Sequence, residues 1–217
     1  MEPAIRKLKA DLHAHVRWRN CMGGLLPSWN DFSDTLNNVS RPIQMGPVWM
    51  HAGQITGAPI DQNIWYRDPP ASSYPACIAV KAVEAQSIQA ADVYLSMVRE
   101  ACLKNGVNIG KAKELIKLAS PLHIDFPFID LVKFKHDFTK GEGVNAFKSD
   151  LEEIRIRKIK RFPTLIFRKP GKESLITTGF RTYEALAEII LSMDPSLEDL
   201  IHIKKSPKNE ISPGQPN

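Results

Sequence analysis

Apolar and polar positions alternate along the chain with two different periods, and the changes of period mark out its elements. After Glu2 and Pro3, Ile5, Leu8 and Leu12 recur at helical spacing among Arg6, Lys7 and Lys9. This predicts a short amphipathic helix that tolerates proline in its first turn. From Val16 to Met22 the period drops to two and stops at Gly23-Gly24, the pattern of a strand with one buried face. Helical spacing returns after Pro75, with Ala76, Ala79, Val80 and Val83, then Ala90, Val93, Leu95, Val98, Ala101 and Cys102, and breaks at Gly106-Val-Asn108. Leu115, Ile116, Leu118 and Ala119 predict a helix ending before Pro121. Another runs from about Gly143 to Lys158 with Phe147, Leu151 and Ile154 inward.

The period changes again near the C-terminus. Pro163-Thr-Leu-Ile-Phe-Arg168 and Leu175-Ile-Thr-Thr-Gly-Phe180 are β-branched or aromatic runs joined by Lys169-Pro-Gly-Lys172, which predicts a β-hairpin. Tyr183, Leu186, Ile189 and Ile190 place an apolar stripe on a terminal helix, and residues 204–217 read as a flexible polar tail. Between Pro27 and Pro75 neither period holds. That stretch is rich in Pro, Gly, Asn and Ser yet carries Trp29, Trp49 and Trp65. Large aromatics need burial, so an ordered irregular lobe is expected there, with a short helix near Gln44 to Ile55 and the tryptophans as its local core.

Composition narrows the class. The 217 residues, 43% of them hydrophobic, are enough for one packed domain or a domain with a large insertion. A net charge of +5 permits an acidic partner without demanding one, and nucleic acid is not expected among the partners. No run of apolar residues is long enough for a membrane span and the N-terminus has no export core, so a cytoplasmic location is expected.

The candidate chemistry is sparse. Cys21, Cys77 and Cys102 are far apart, without Cys-x-x-Cys or metal-ligand spacing, and the six histidines are scattered, so no metal site or cofactor is expected. Cys77, near a helix start, is the candidate reactive thiol, with a packing role as the favoured alternative. The basic residues Arg155, Arg157, Lys158, Lys160, Arg161, Arg168, Lys169 and Lys172 are open to phosphates or an acidic partner, though a solvated face is the commoner explanation.

The element order is helix, strand, helical insertion, two strands, helix, which matches a thioredoxin core with its first strand missing. Such folds place a cis-proline where the first hairpin strand begins. Here that position is Pro163 within Lys160-Arg-Phe-Pro-Thr164, and the tetrapeptide by itself leaves the cis and trans forms equally open.

The segments Met22-Gly-Gly-Leu-Leu-Pro27, Val39-Ser-Arg-Pro-Ile-Gln-Met-Gly-Pro47, Asp68-Pro-Pro-Ala-Ser-Ser-Tyr-Pro-Ala-Cys-Ile-Ala-Val-Lys-Ala82, Arg99-Glu-Ala101 with Asn108-Ile109, and Arg161-Phe-Pro-Thr-Leu165 are found in that order. Together they resemble the DsbA family, in particular its FrnE-like group of predicted protein disulfide isomerases, from Glu2 to about Ile190. The resemblance implies an α/β thioredoxin-like fold with a large α-helical insertion and its first strand missing. The expected parts are 2–26 and 159–192 for the thioredoxin-like domain and 27–158 for the insertion. It implies thiol-disulfide exchange with protein or peptide thiols and disulfides, or with glutathione. Arg161, Phe162, Pro163 and Thr164 are the implied substrate-contact residues.

In that family a strand and a Cys-x-x-Cys turn precede the helix that here begins at Glu2. No catalytic residue is therefore assigned, and this chain by itself is expected to be redox-inactive. Without that strand two ladders of backbone groups would face a gap, at about 1–3 kcal/mol for each buried unpaired group. The expectation is a reading frame that begins upstream or a degenerate gene product; the alternative is another segment or second chain in the gap. Two further readings share the scaffold: a glutathione-dependent isomerase or transferase, and a non-enzymatic adaptor for ClpXP proteolysis.

Overall fold

The computed structural model describes residues 1–201; the expected tail at 204–217 lies outside the described residues, as does His202. In chain order the elements are α1 (Glu2–Leu12), α2 (Met45–Thr56), α3 (Ile64–Arg67), α4 (Tyr74–Glu84), α5 (Ile88–Leu103), α6 (Ala112–Ala119), α7 (Leu122–Asp125), α8 (Leu131–Thr139), α9 (Glu142–Ile156), β1 (Thr164–Phe167), β2 (Leu175–Thr178) and α10 (Tyr183–Met193). Two compact units result. One joins residues 1–20 to the segment from Ile159 onward, and the other comprises residues 21–158.

In the first unit β1 and β2 form an antiparallel hairpin with Thr164 opposite Thr178 and Phe167 opposite Leu175. Alternation along β1 turns Leu165 and Phe167 to one face, where they pack on a cluster of Leu8, Leu12, Tyr183, Leu186, Ala187 and Ile190 from α1 and α10. Thr182 caps α10 by accepting a hydrogen bond from the Ala185 N–H (3.3 Å). The Tyr183 hydroxyl bonds Asp11, and Lys7 Nζ sits 3.6 Å from the centre of the Tyr183 ring.

The expected strand from Val16 to Met22 is corrected. The segment is extended and alternates between half-buried and exposed residues, but it is part of no β-ladder among the described residues. Period two fixes which way side chains face, whereas a strand also needs a neighbour to exchange hydrogen bonds. Its end belongs to the helical unit, because the Met22 N–H donates to Asp150 Oδ2 (2.8 Å) and the Leu26 N–H to Ser73 Oγ (3.0 Å). The division between units therefore falls after Asn20 and not after Leu26.

The second unit is built around α4, which packs on α5, α8 and α9 over a core containing Val80, Val83, Tyr94, Leu115 and Phe134. Close approach of α9 to α4 depends on Gly143, where a Cβ would lie 2.8 Å from the Ala82 Cβ and 2.8 Å from the Asp137 carbonyl. On α5 the inward stripe is Ala90, Ala91, Tyr94, Leu95, Val98, Ala101 and Cys102. Val93, expected inward, is 39% exposed. Tyr94 takes the inward position, since it has the larger ring to bury and a partner for its hydroxyl in the Leu115 carbonyl (2.8 Å). Apolar spacing did not predict α7 or α8. Helix α8 starts where Asp130 accepts hydrogen bonds from the Val132 and Lys133 N–H groups (2.7 and 3.1 Å). In the irregular lobe Trp65 meets both Trp29 and Trp49 edge to face, at 5.9 and 5.0 Å between centroids. No helix among the described residues is long and apolar enough to cross a membrane.

Candidate functional site

The loop entering β1 is held by two short hydrogen bonds. The Thr164 hydroxyl donates to the Arg161 carbonyl (2.6 Å), and the Gly179 N–H donates to the Pro163 carbonyl (2.8 Å). The Phe162–Pro163 peptide bond, left open by the sequence, is cis. Arg161, Phe162 and Pro163 are exposed and Thr164 is partly so. The four residues implied as substrate contacts thus stand together at one end of the hairpin.

The β1–β2 register brings further residues to the same end. With Thr164 opposite Thr178, the chain from Gly179 to Arg181 leaves β2 beside Arg161–Pro163. Gly179 has φ +79°, a left-handed value that glycine adopts without steric cost. Arg181 is fixed by Nε to the Thr177 hydroxyl (3.0 Å) and by its guanidinium to the Phe180 carbonyl (3.0 Å). Phe180 is exposed, and so is Ile176 on β2. Phe162, Pro163 and Phe180 are thus exposed at this end of the hairpin together with Arg161 and Arg181, a set of side chains suited to an extended peptide with apolar and acidic side chains. Sequence reasoning had no signal for Phe180 and Arg181, because only the strand register sets the chain leaving β2 beside the loop.

The cysteines have different environments. Cys77 is buried in the first turns of α4, and burial is the main reason its thiol is pushed up to about 11. The Asp150 carboxylate acts in the same direction, against a hydrogen bond from the Gly24 backbone. Of the two readings of Cys77, reactive thiol and packing role, burial speaks for the packing role, because desolvation outweighs whatever the helix start contributes. Cys102 is likewise pushed up, to about 12, by burial in α5. Cys21 is exposed, with its Sγ 3.8 Å from the Asp150 carbonyl. Asp150 is 1% exposed and Lys81 5%, and Lys81 Nζ lies 3.5 Å from Asp150 Oδ2 and 2.7 Å from Glu84 Oε2. This buried charge pair ties α4 to α9 and, through Met22, to the entering chain.

The basic residues do not gather into one anion site. Arg155 pairs with Glu152 and Arg157 with Glu153 along the face of α9, and Lys169 pairs with Asp194. Among the described residues no group of three or more His, Cys, Asp or Glu side chains is placed to hold a metal ion.

The comparisons agree with this geometry. A family model described as Thioredoxin matches residues 1–188. Among curated proteins the chain is similar to the ClpXP adapter protein SpxH of Halalkalibacterium halodurans, 27% identical over 88% of this chain and 62% of the relative. It is also similar to the ClpXP adapter protein SpxH of Bacillus subtilis, 26% identical over 89% of this chain and 62% of the relative. The chain thus spans about three-fifths of the length of the curated relatives it matches. Among solved structures it superposes on one described as "a putative protein disulfide isomerase from Nitrosomonas europaea", with a TM-score of 0.71, 19% identity and 89% of each chain covered.

Proposed function

From the premise that this chain belongs to the thioredoxin family, as a DsbA-like protein with the thioredoxin fold, we propose that it works by binding protein partners at the end of its hairpin, as an adaptor for ClpXP proteolysis in the cytoplasm. The observation that carries the reading is the contrast between the two kinds of site. Arg161, Phe162 and Pro163 are open to a partner, whereas the two helix-borne thiols are buried with raised proton affinity. Nucleophilic attack on a disulfide needs an accessible thiolate, and burial works against both requirements. The relatives named as ClpXP adapters support the same reading.

The test compares protein half-lives in cells with and without the chain, in ClpXP-proficient and ClpXP-deficient backgrounds. At least one protein is expected to turn over faster in a ClpXP-dependent manner. The effect should persist when Cys21, Cys77 and Cys102 are all replaced by Ser or Ala, and should drop severalfold with Arg161→Glu plus Phe162→Asp. Unchanged half-lives, or an effect that disappears with the cysteines while circular dichroism stays native, would refute the adaptor reading.

Thiol-disulfide exchange is the second reading, favoured by the exposure of Cys21. It requires that the Cys21 thiolate attack an insulin disulfide, forming a mixed disulfide and releasing one insulin thiolate, with added glutathione as the reductant that resolves it, and that Cys21→Ser abolish the exchange.

A further inference from the structure

The net charge of the chain belongs to one of its two units. Residues 21–158 carry fifteen Lys and Arg against fifteen Asp and Glu, so the surplus of +5 lies entirely in the other unit. Within that unit the signs separate again. Residues 1–20 and 159–182 hold eleven Lys and Arg and only three acidic residues, whereas residues 183–201, which include α10, hold five acidic residues and no Lys or Arg. Of the three, Glu2 pairs with Arg6, Asp11 accepts from the Tyr183 hydroxyl, and Glu173 is in the hairpin turn, at the opposite end from Pro163. Elsewhere cations are answered by a neighbouring carboxylate, as Lys104 is by Glu100, Lys111 by Asp68 and Lys133 by Asp137. At the Pro163 end of the hairpin three are not. Lys160, Arg161 and Arg181 are exposed and pair with no carboxylate among the described residues. Arg181 is held by the Thr177 hydroxyl and the Phe180 carbonyl, neutral acceptors that fix the guanidinium without cancelling its charge.

We propose that Lys160, Arg161 and Arg181 select an acidic segment of a protein partner, its Asp or Glu side chains paired with these cations and its apolar side chains against Phe162 and Phe180. This selection rests on the reading of the hairpin end as the partner-binding surface and adds the chemistry of the partner. Charge complementarity is what chooses the occupant. An exposed cation without a partner in its own chain keeps its full charge for a binding partner, and a guanidinium matches a carboxylate through two parallel hydrogen bonds. The surplus on the surrounding unit acts at longer range. It draws an acidic segment in and turns a basic one away, an effect that raises association rates about 10- to 1,000-fold and weakens as salt rises. Nucleic acid is the other polyanion to consider. A duplex carries one negative charge about every 1.7 Å, a density that three cations leave largely unanswered, whereas they suffice for the few carboxylates of a peptide.

The experiment is fluorescence anisotropy on the full chain with three labelled peptides of equal length. Each has two phenylalanines in a Gly/Ser background, with three glutamates, three glutamines or three lysines between them. The glutamate peptide is expected to bind about tenfold more tightly than the glutamine peptide, and this advantage should shrink as salt rises from about 50 to 200 mM. The lysine peptide should bind most weakly. With Lys160→Glu and Arg181→Glu together the order should invert and the lysine peptide bind best, a gain that misfolding cannot produce. Equal binding of the glutamate and glutamine peptides, or no binding by any of the three, overturns the acidic preference and leaves the adaptor reading to the half-life measurement. A preference for glutamate that survives the charge reversal also overturns it. So does a thymidine oligonucleotide that binds more tightly than the glutamate peptide, which would assign the cations to phosphates. Conversely, acid selection with unchanged half-lives refutes the adaptor reading alone.

Discussion

At the scale of single residues, burial decides which cysteines can react. In water a thiol ionises near 9.0, but the folded chain raises Cys77 to about 11 and Cys102 to about 12. Below the ordinary value both states hold these protons and the thiols do not affect stability. Above it the unfolded chain ionises while the folded chain does not. Stability is therefore lost as pH rises from about 9 through 11 for Cys77 and on toward 12 for Cys102. At pH near 8, iodoacetamide should modify Cys21 within the native protein and reach Cys77 and Cys102 only through unfolding. Peptide mass spectrometry over time reads this directly, and simultaneous labelling of Cys77 and Cys21 would contradict the burial. The inert character of Cys102 was legible from its place on an apolar stripe. At Cys77 the sequence favoured a packing role and left a reactive thiol as the other reading, because proximity to a helix start says nothing of how much protein covers the thiol.

At the scale of elements, the α4–α9 contact depends on one glycine. Alanine in place of Gly143 would gain about 1 kcal/mol of helix propensity at an exposed site. Here its Cβ meets the Ala82 Cβ and the Asp137 carbonyl at 2.8 Å, and the backbone cannot yield as a flexible side chain would. Overpacking of this kind costs about 1–3 kcal/mol. Gly143→Ala is expected to destabilise the protein in urea titrations, and a gain in stability would show that the helices can separate at no cost. The periodic pattern located α9 to within a residue or two at each end, but it ran α4 and α5 together as one helical stretch, because the break at Ser87, whose side chain accepts from the Ala90 N–H, is a cap and not a change of period. It passed over α8, whose Asp130 cap is a local hydrogen-bond signal and whose Phe134 and Phe138 form only a short stripe. It also predicted a strand at 16–22, since alternation reports facing and not pairing.

At the scale of the molecule, each unit has its own apolar cluster. The cluster of Val80, Val83, Tyr94, Leu115 and Phe134 and the smaller one around Trp65 lie wholly within residues 21–158. A segment with its own core can fold alone. Residues 21–158 expressed separately should give a helical circular dichroism spectrum and a cooperative urea transition; a broad, non-cooperative loss of signal would show that this core is insufficient.

The sequence by itself determined the helical insertion, the hairpin and its turn, and the terminal helix. These depend on spacing along the chain, and a residue's hydrophobicity and its neighbours at three, four or two positions are written in the sequence. Only the tertiary structure decided that the chain leaving β2 at Gly179–Arg181 lies beside Arg161–Thr164 and how much protein covers Cys77. Both depend on distances between residues remote in sequence: a strand register and the protein packed over a thiol.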